Sequence, residues 1–113
     1  MIDNNKEYIL CAAVWYLDLE LSKYPTIPKE QYLPINIDKG IVFCGHRHIQ
    51  CIRQMNIITG LKQHEASNEV QGFLTSKNRF VDRLEAAKIA SDLGQIITEG
   101  VTSVSRLYSE DLY

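Results

Sequence analysis

The densest group of chemically capable side chains is Cys44-Gly45-His46-Arg47-His48-Ile49-Gln50-Cys51. Its two thiols and two imidazoles are acceptable zinc ligands once deprotonated or neutral. The spacing opposes that reading. Cys44 belongs to a strand, His48 and Cys51 to successive turns of a helix start, and no second Cys or His pair follows at the distance of a finger or ribbon. The plainer alternative makes Cys44 and Cys51 small buried hydrophobes and one histidine a satisfied core residue. Arg47 invites another chemistry. It lies at a Gly-led strand-to-helix turn, where free N–H groups and the helix dipole favour an anion such as phosphate. The guanidinium adds bidentate bonding, and His46 and His48 can donate from either side. Its competing role is an ion pair with a surface carboxylate.

A second polar set, Ser76, Lys77, Asn78 and Arg79, stands between Phe73 and Phe80. Aromatics beside a guanidinium and an amide suit a nucleotide: the base stacks, the phosphates meet arginine, and the amide reads a base or ribose edge. The alternatives are structural, with both phenylalanines in the core and Asn78 a turn residue at positive φ. Core is favoured for the phenylalanines and ligand contact for Arg79. Catalytic constellations are thin. No serine sits in a nucleophile elbow, no carboxylate pair brackets an obvious pocket, and Gly-rich phosphate motifs are missing. The run RLEAAKIASDLG has a faint likeness to the end of a Nudix box, but Ala90, Ser91 and Asp92 replace the magnesium-binding glutamates.

These groups need elements to position them. Val70, Phe73 and Leu74 lead into the turn formers Thr75-Ser76-Lys77-Asn78, and Arg79, Phe80 and Val81 lead out, which predicts a β-hairpin. Asp82 is placed to cap a helix, with Glu85 as capping-box partner. Ala86, Ile89, Ala90, Leu93 and Ile97 share its packing face, Arg83, Lys88, Ser91 and Asp92 point elsewhere, and Gly94 offers an end. Upstream, Tyr8–Leu19 is almost continuously apolar. It predicts a turn of helix through Ile9 and Leu10 and a strand over Ala13–Leu17. Pro25, Pro28 and Pro34 deny a helix between Leu19 and Asn36 and predict a mobile or variable loop. Ile41–Cys44 has the composition of a central strand ended by Gly45. A helix follows over His48–Thr59, packing through Ile49, Cys51, Ile52, Met55 and Ile58 and closed by Gly60. Residues 61–69 are a polar connector, and the closing LYSEDLY can dock as an edge or reach a neighbouring subunit.

Composition bounds the answer. At 113 residues, 45% apolar and 23% charged, the chain can bury a core as one domain without metal or disulfide. A net charge of −2 argues against general nucleic-acid binding. An odd count of three cysteines, a polar start and no apolar run near the roughly 18 residues of a membrane span predict a reduced, cytosolic setting. Strands followed by helices without strict alternation predict an α+β fold, a small antiparallel sheet with packed helices.

With CGHRHIQC, QGFLTSKNRFVDRLEAAKIASDLGQI and LYSEDLY in view, the chain resembles the first family of phage Thoeris anti-defence proteins. The resemblance covers Ala12–Tyr16, Asn36–Cys51 and Val70–Tyr113. It is poorest over 18–35 and 61–69, and Ile49-Gln50 stands where another histidine is expected, which bears on ligand choice more than on fold. It implies a sponge rather than an enzyme: a protein of the host cytoplasm that holds cyclic ADP-ribose isomers intact and so keeps the Thoeris effector off. Some members also take cyclic trinucleotides at a separate site, and the family forms homo-oligomers, dimers or hexamers. The candidate ligand-binding residues are His46, Arg47, His48, Phe73, Asn78, Arg79 and Arg106, with no cofactor, no metal and neither DNA nor membrane as partner. The competing expectation is a small nucleotide hydrolase or metal-dependent enzyme using His46 and His48, and a third is a plain protein-interaction module.

Overall fold

The computed structural model describes residues 6–25, 33–66 and 68–113. Among them, strands β1 (Ile9–Tyr16), β2 (Ile41–Gly45), β3 (Glu69–Thr75) and β4 (Phe80–Asp82) form one antiparallel sheet in the order β2-β1-β3-β4. Helices α1 (His48–Thr59) and α2 (Arg83–Asp92) pack against it, and three single 3₁₀ turns fill the connections. This is the expected α+β architecture.

The predicted helical turn at Ile9 and Leu10 is instead the start of β1. Ile9 pairs with Thr75 and Cys11 with Leu74 across an irregularity that absorbs Leu10. Local propensity is weak here, and the ladder partners in β3 override it. Leu17, expected in the strand, already lies in the following turn. Beyond the irregularity, alternate residues divide the sheet's two faces. Ala12, Val14 and Tyr16 join Phe43, Phe73 and Met55 in the main core, while Ala13 joins Val42, Phe80 and Ile37 in a smaller cluster on the opposite face. Tyr16, fully buried, donates its hydroxyl to Glu69 Oε1 at 2.8 Å, which satisfies the one polar atom it takes inside.

Helix α1 buries His48, Cys51, Ile52 and Met55, the i, i+3, i+4, i+7 stripe. Ile49 and Ile58 were expected on this face and are 52% and 39% exposed, because His48 rather than Ile49 opens the stripe and the helix ends beyond Met55. Asp82 caps α2 by accepting from the Glu85 N–H at 2.8 Å. The reciprocal half of the expected capping box is missing, since the Glu85 carboxylate lies 3.6 Å from Arg79. Ile97 lies beyond the end of α2 and is 59% exposed, outside the packing face predicted for it.

Gly72 is where the sheet leaves no room. An added Cβ would stand 2.1 Å from the Val81 carbonyl oxygen and 2.8 Å from the Phe80 ring, so β3 and β4 approach this closely only around glycine. The connector 61–69 holds a 3₁₀ turn, Gln63–Glu65, before β3 begins at Glu69. In the loop expected between Leu19 and Asn36, residues 21–23 form a single 3₁₀ turn, and residues 26–32, with Pro28, lie outside the described residues. The tail does not extend the sheet. It folds back: Leu107 is fully buried, its N–H donates to the Arg83 carbonyl, and the Ile97 N–H donates to the Asp111 carbonyl.

Candidate functional site

Strand β3, the β4–α2 junction and the returning tail meet around an open cavity of about 410 Å3. β3 contributes Glu69, Val70 and Gln71; the junction contributes Asp82, Arg83 and Leu84; the tail contributes Arg106. Arg83 is fixed by its surroundings. Its Nη1 donates to the Leu107 carbonyl at 2.6 Å and its Nη2 to Gln71 Oε1 at 2.7 Å, while Cζ lies 4.5 Å from the centre of the Tyr108 ring. Burial lowers its pKa from the usual guanidinium value; Tyr108 opposes that shift, the charge on Arg106 adds to it, and Glu110 opposes it. It remains a cation at any ordinary pH.

Two like charges therefore face one cavity at the head of a helix, where an anion relieves their repulsion and meets the helix dipole favourably. The two carboxylates on the wall have partners of their own. Glu69 accepts from Tyr16, Gln63 and Gln71, and Asp82 holds the helix cap. Their remaining lone pairs suit hydroxyl donors such as those of a ribose. Leu84, 60% exposed, adds apolar surface to the lining, and Tyr108, 48% exposed, stands against the Arg83 guanidinium.

Of the residues singled out in the sequence, Arg106 alone lines this cavity. His48 and Phe73 lie beneath the sheet surface. The His48 Nε2–H donates to the Gly72 carbonyl at 2.7 Å, and its ring meets Phe73 edge-on at 5.0 Å. Burial pushes the His48 pKa down; the Gly72 bond opposes this, Arg83 adds to it, and Glu110 and Glu69 oppose it, so the ring is neutral. Asn78 and Arg79 sit at the far end of the hairpin. Asn78 takes the left-handed conformation, φ 56°, that a tight turn needs. Arg79 forks onto Glu7, Nε to Oε2 at 2.8 Å and Nη2 to Oε1 at 2.9 Å.

His46 and Arg47 lie at the opposite edge of the sheet from the cavity, under the last residue described. The His46 and Tyr113 rings are 4.6 Å apart, and the Tyr113 hydroxyl donates to the His46 carbonyl at 2.8 Å. Arg47 Nη2 donates to the Tyr113 main-chain oxygen at 2.6 Å, whereas its Nη1 is buried without a hydrogen-bond partner among the described residues. The thiol–imidazole cluster also disperses. Cys51 Sγ points at the Ala12 and Arg47 carbonyls, and no three His, Cys, Asp or Glu side chains converge among the described residues. Arg83 is the residue that sequence reasoning missed. Its signal was its place one step after the Asp82 cap, which puts it at the positive end of α2 rather than on a merely wet face.

No curated protein matches the chain, and no solved structure does. The profile of the phage T4 y16D protein family matches residues 8–113, which takes in every strand and helix described above. The chain belongs to the phage T4 y16D protein family.

Proposed function

We propose that this phage-family protein captures cyclic ADP-ribose isomers in the cavity at the head of α2 and withholds them from a Thoeris effector in the host cytoplasm. The observation that carries this reading is the pairing of Arg83 and Arg106 on one cavity wall, beside carboxylate acceptors and exposed apolar surface. A cyclic dinucleotide-like ligand has the matching parts: a pyrophosphate for the guanidiniums, ribose hydroxyls for Glu69 and Asp82, and a base for Leu84. The cavity volume falls within the roughly 300–1,000 Å3 of small-molecule sites. The resemblance drawn from the sequence points to the same ligand class.

Hydrolysis through His46 and His48 has less support. His48 is neutral, buried and committed to Gly72, and His46 lies against Tyr113 at the other sheet edge. A positioned acid and base would have to reach one substrate atom together. A sponge needs affinity instead, about −12 kcal/mol for nanomolar capture. The exposed Ile49 and Ile57 on the outer side of α1, 52% and 83% accessible, favour a homo-oligomer, which light scattering at micromolar concentration reads directly.

The test is to mix purified protein with cyclic ADP-ribose isomers, and in parallel with cyclic trinucleotides, remove free ligand, heat the complex and identify what is released. Intact cyclic ADP-ribose isomer that again activates the effector is expected. Recovery of linear ADP-ribose, or no retained ligand, overturns the reading.

A further inference from the structure

Cys11 and Cys44 stand on neighbouring strands, β1 and β2, at an edge of the sheet. In the register, Ala13 faces Cys44, so Cys11 is two residues along β1 from that position and on the same face as Cys44. Both side chains are partly exposed, and each thiol shifts the other's ionisation. We infer that Cys11 and Cys44 form a peroxide-responsive dithiol, which closes to an intrachain disulfide that staples β2 to β1.

The surroundings give the two sulfurs different roles. The Cys44 thiol beside it and, against the opposing effect of burial, the Gly45 backbone hold the Cys11 pKa below the ordinary thiol value. Cys44 is pushed the other way, first by that same contact with Cys11 and then by burial. Cys11 is therefore the nucleophile and Cys44 the resolving thiol. The Cys11 thiolate attacks hydrogen peroxide: an S–O bond forms, the O–O bond breaks, and hydroxide leaves to take up a proton as water. Cys44 then attacks the sulfenic sulfur; the S–S bond forms, the S–O bond breaks, and the departing hydroxide takes the Cys44 proton as a second water. Two thiols lose two electrons and two protons, and the peroxide is reduced to two waters.

The geometry also says what closure does. Diagonal partners across a ladder stand about 7–8 Å apart at Cα, just beyond the roughly 4.4–6.8 Å of a disulfide, so the bond must draw the strands together. β2 is an edge strand with a ladder partner on one side only among the described residues, so a shift of β2 disturbs one ladder rather than two. It leads straight into His46 and Arg47, which Tyr113 covers. Cys51 is excluded from this chemistry: it is fully buried in the main core, its thiol is directed at two carbonyls, and burial pushes its pKa up to about 12.

The experiment treats the full chain with hydrogen peroxide, blocks remaining thiols by alkylation and maps non-reduced peptides by mass spectrometry. A Cys11–Cys44 cross-linked peptide within one chain is expected, reversed by dithiothreitol and retained in Cys51→Ser. In Cys44→Ser, a sulfenic acid at Cys11, trapped by a dimedone probe, is expected instead. Full alkylation of both residues after peroxide, or disulfides only between chains, overturns the inference.

Discussion

The turn from β2 into α1 and the turn from β4 into α2 are built alike: each carries a strand into a helix with an arginine at the junction. Arg47 stands before α1, Arg83 opens α2, and both are touched by the returning tail. The first looks far more chemical in sequence, with histidines and cysteines around the arginine. In the folded chain those groups turn inward or onto the tail, His48 to Gly72, Cys51 to two carbonyls and Arg47 to Tyr113. At the second turn the arginine is also held, by the Leu107 carbonyl and Gln71, but it lines an open cavity that Arg106 lines as well. A cluster of reactive residue types is thus a poor guide to a site; what matters is whether the fold gathers them around an open surface.

The largest expected effect tests that contrast directly. Arg83→Ala should weaken binding of a cyclic ADP-ribose isomer by ~3–5 kcal/mol, as when one partner of a desolvated charged contact is removed. Arg106→Ala, at the exposed side of the cavity, should cost ~2 kcal/mol, about a thirtyfold rise in Kd, with little change in melting temperature. Arg47→Ala should leave Kd unaltered in the same calorimetric titration. Equal losses for Arg47→Ala and Arg106→Ala would erase the distinction between the two turns.

His48 should report on stability rather than binding. His48→Ala removes a buried ring packed on Phe73 and leaves the Gly72 carbonyl without that donor, a loss of ~2–3 kcal/mol in denaturant unfolding. Its titration adds a pH signature. The folded chain holds the ring neutral because its pKa lies below the ordinary 6.5, whereas the unfolded chain binds the proton first as pH falls. Stability should therefore decline below about pH 6.5. His48→Gln should flatten that slope, and an unchanged slope in the variant would show that His48 is not its source.

How far the sequence carried the fold is clearest at particular residues. The hairpin, the Asp82 cap, Gly60 and Gly94 are local devices, settled by chemistry within a few residues, and each stands where its neighbours predict. Ile9 and Leu10 are different, because only partners 60 or so residues away in β3 make them strand. The site was less legible for the same reason. Arg106 and Arg83 belong to segments separated by a helix and a loop, and nothing in either segment says that the Leu107 carbonyl will bring them together. The role of Gly72 is equally non-local: its need for glycine comes from Val81 on the next strand.

The smallest expected effect concerns the hairpin tip and asks whether Arg79 belongs with the closed turn or the open one. Arg79 forks onto Glu7, Glu7 also accepts the Thr75 hydroxyl at 2.6 Å, and Glu85 stands 3.6 Å from the same guanidinium. The Arg79 bond, partly opposed by burial and aided by Thr75, holds the Glu7 pKa below its ordinary 4.5. The folded chain keeps the carboxylate charged at pH values where the unfolded chain has already protonated it. The contribution is therefore present above the unfolded pKa and disappears as pH falls through the folded one. The pair is partly open to solvent, which limits it to ~1 kcal/mol or less. Urea midpoints measured from about pH 5 to about pH 3 should fall less steeply in Glu7→Gln than in the natural sequence. Saturating cyclic ADP-ribose isomer should leave the difference between the two slopes in place, since the proposed site lies at the other end of β3. If ligand abolishes that difference, it has displaced Glu7 from Arg79, and the binding surface extends to the hairpin tip.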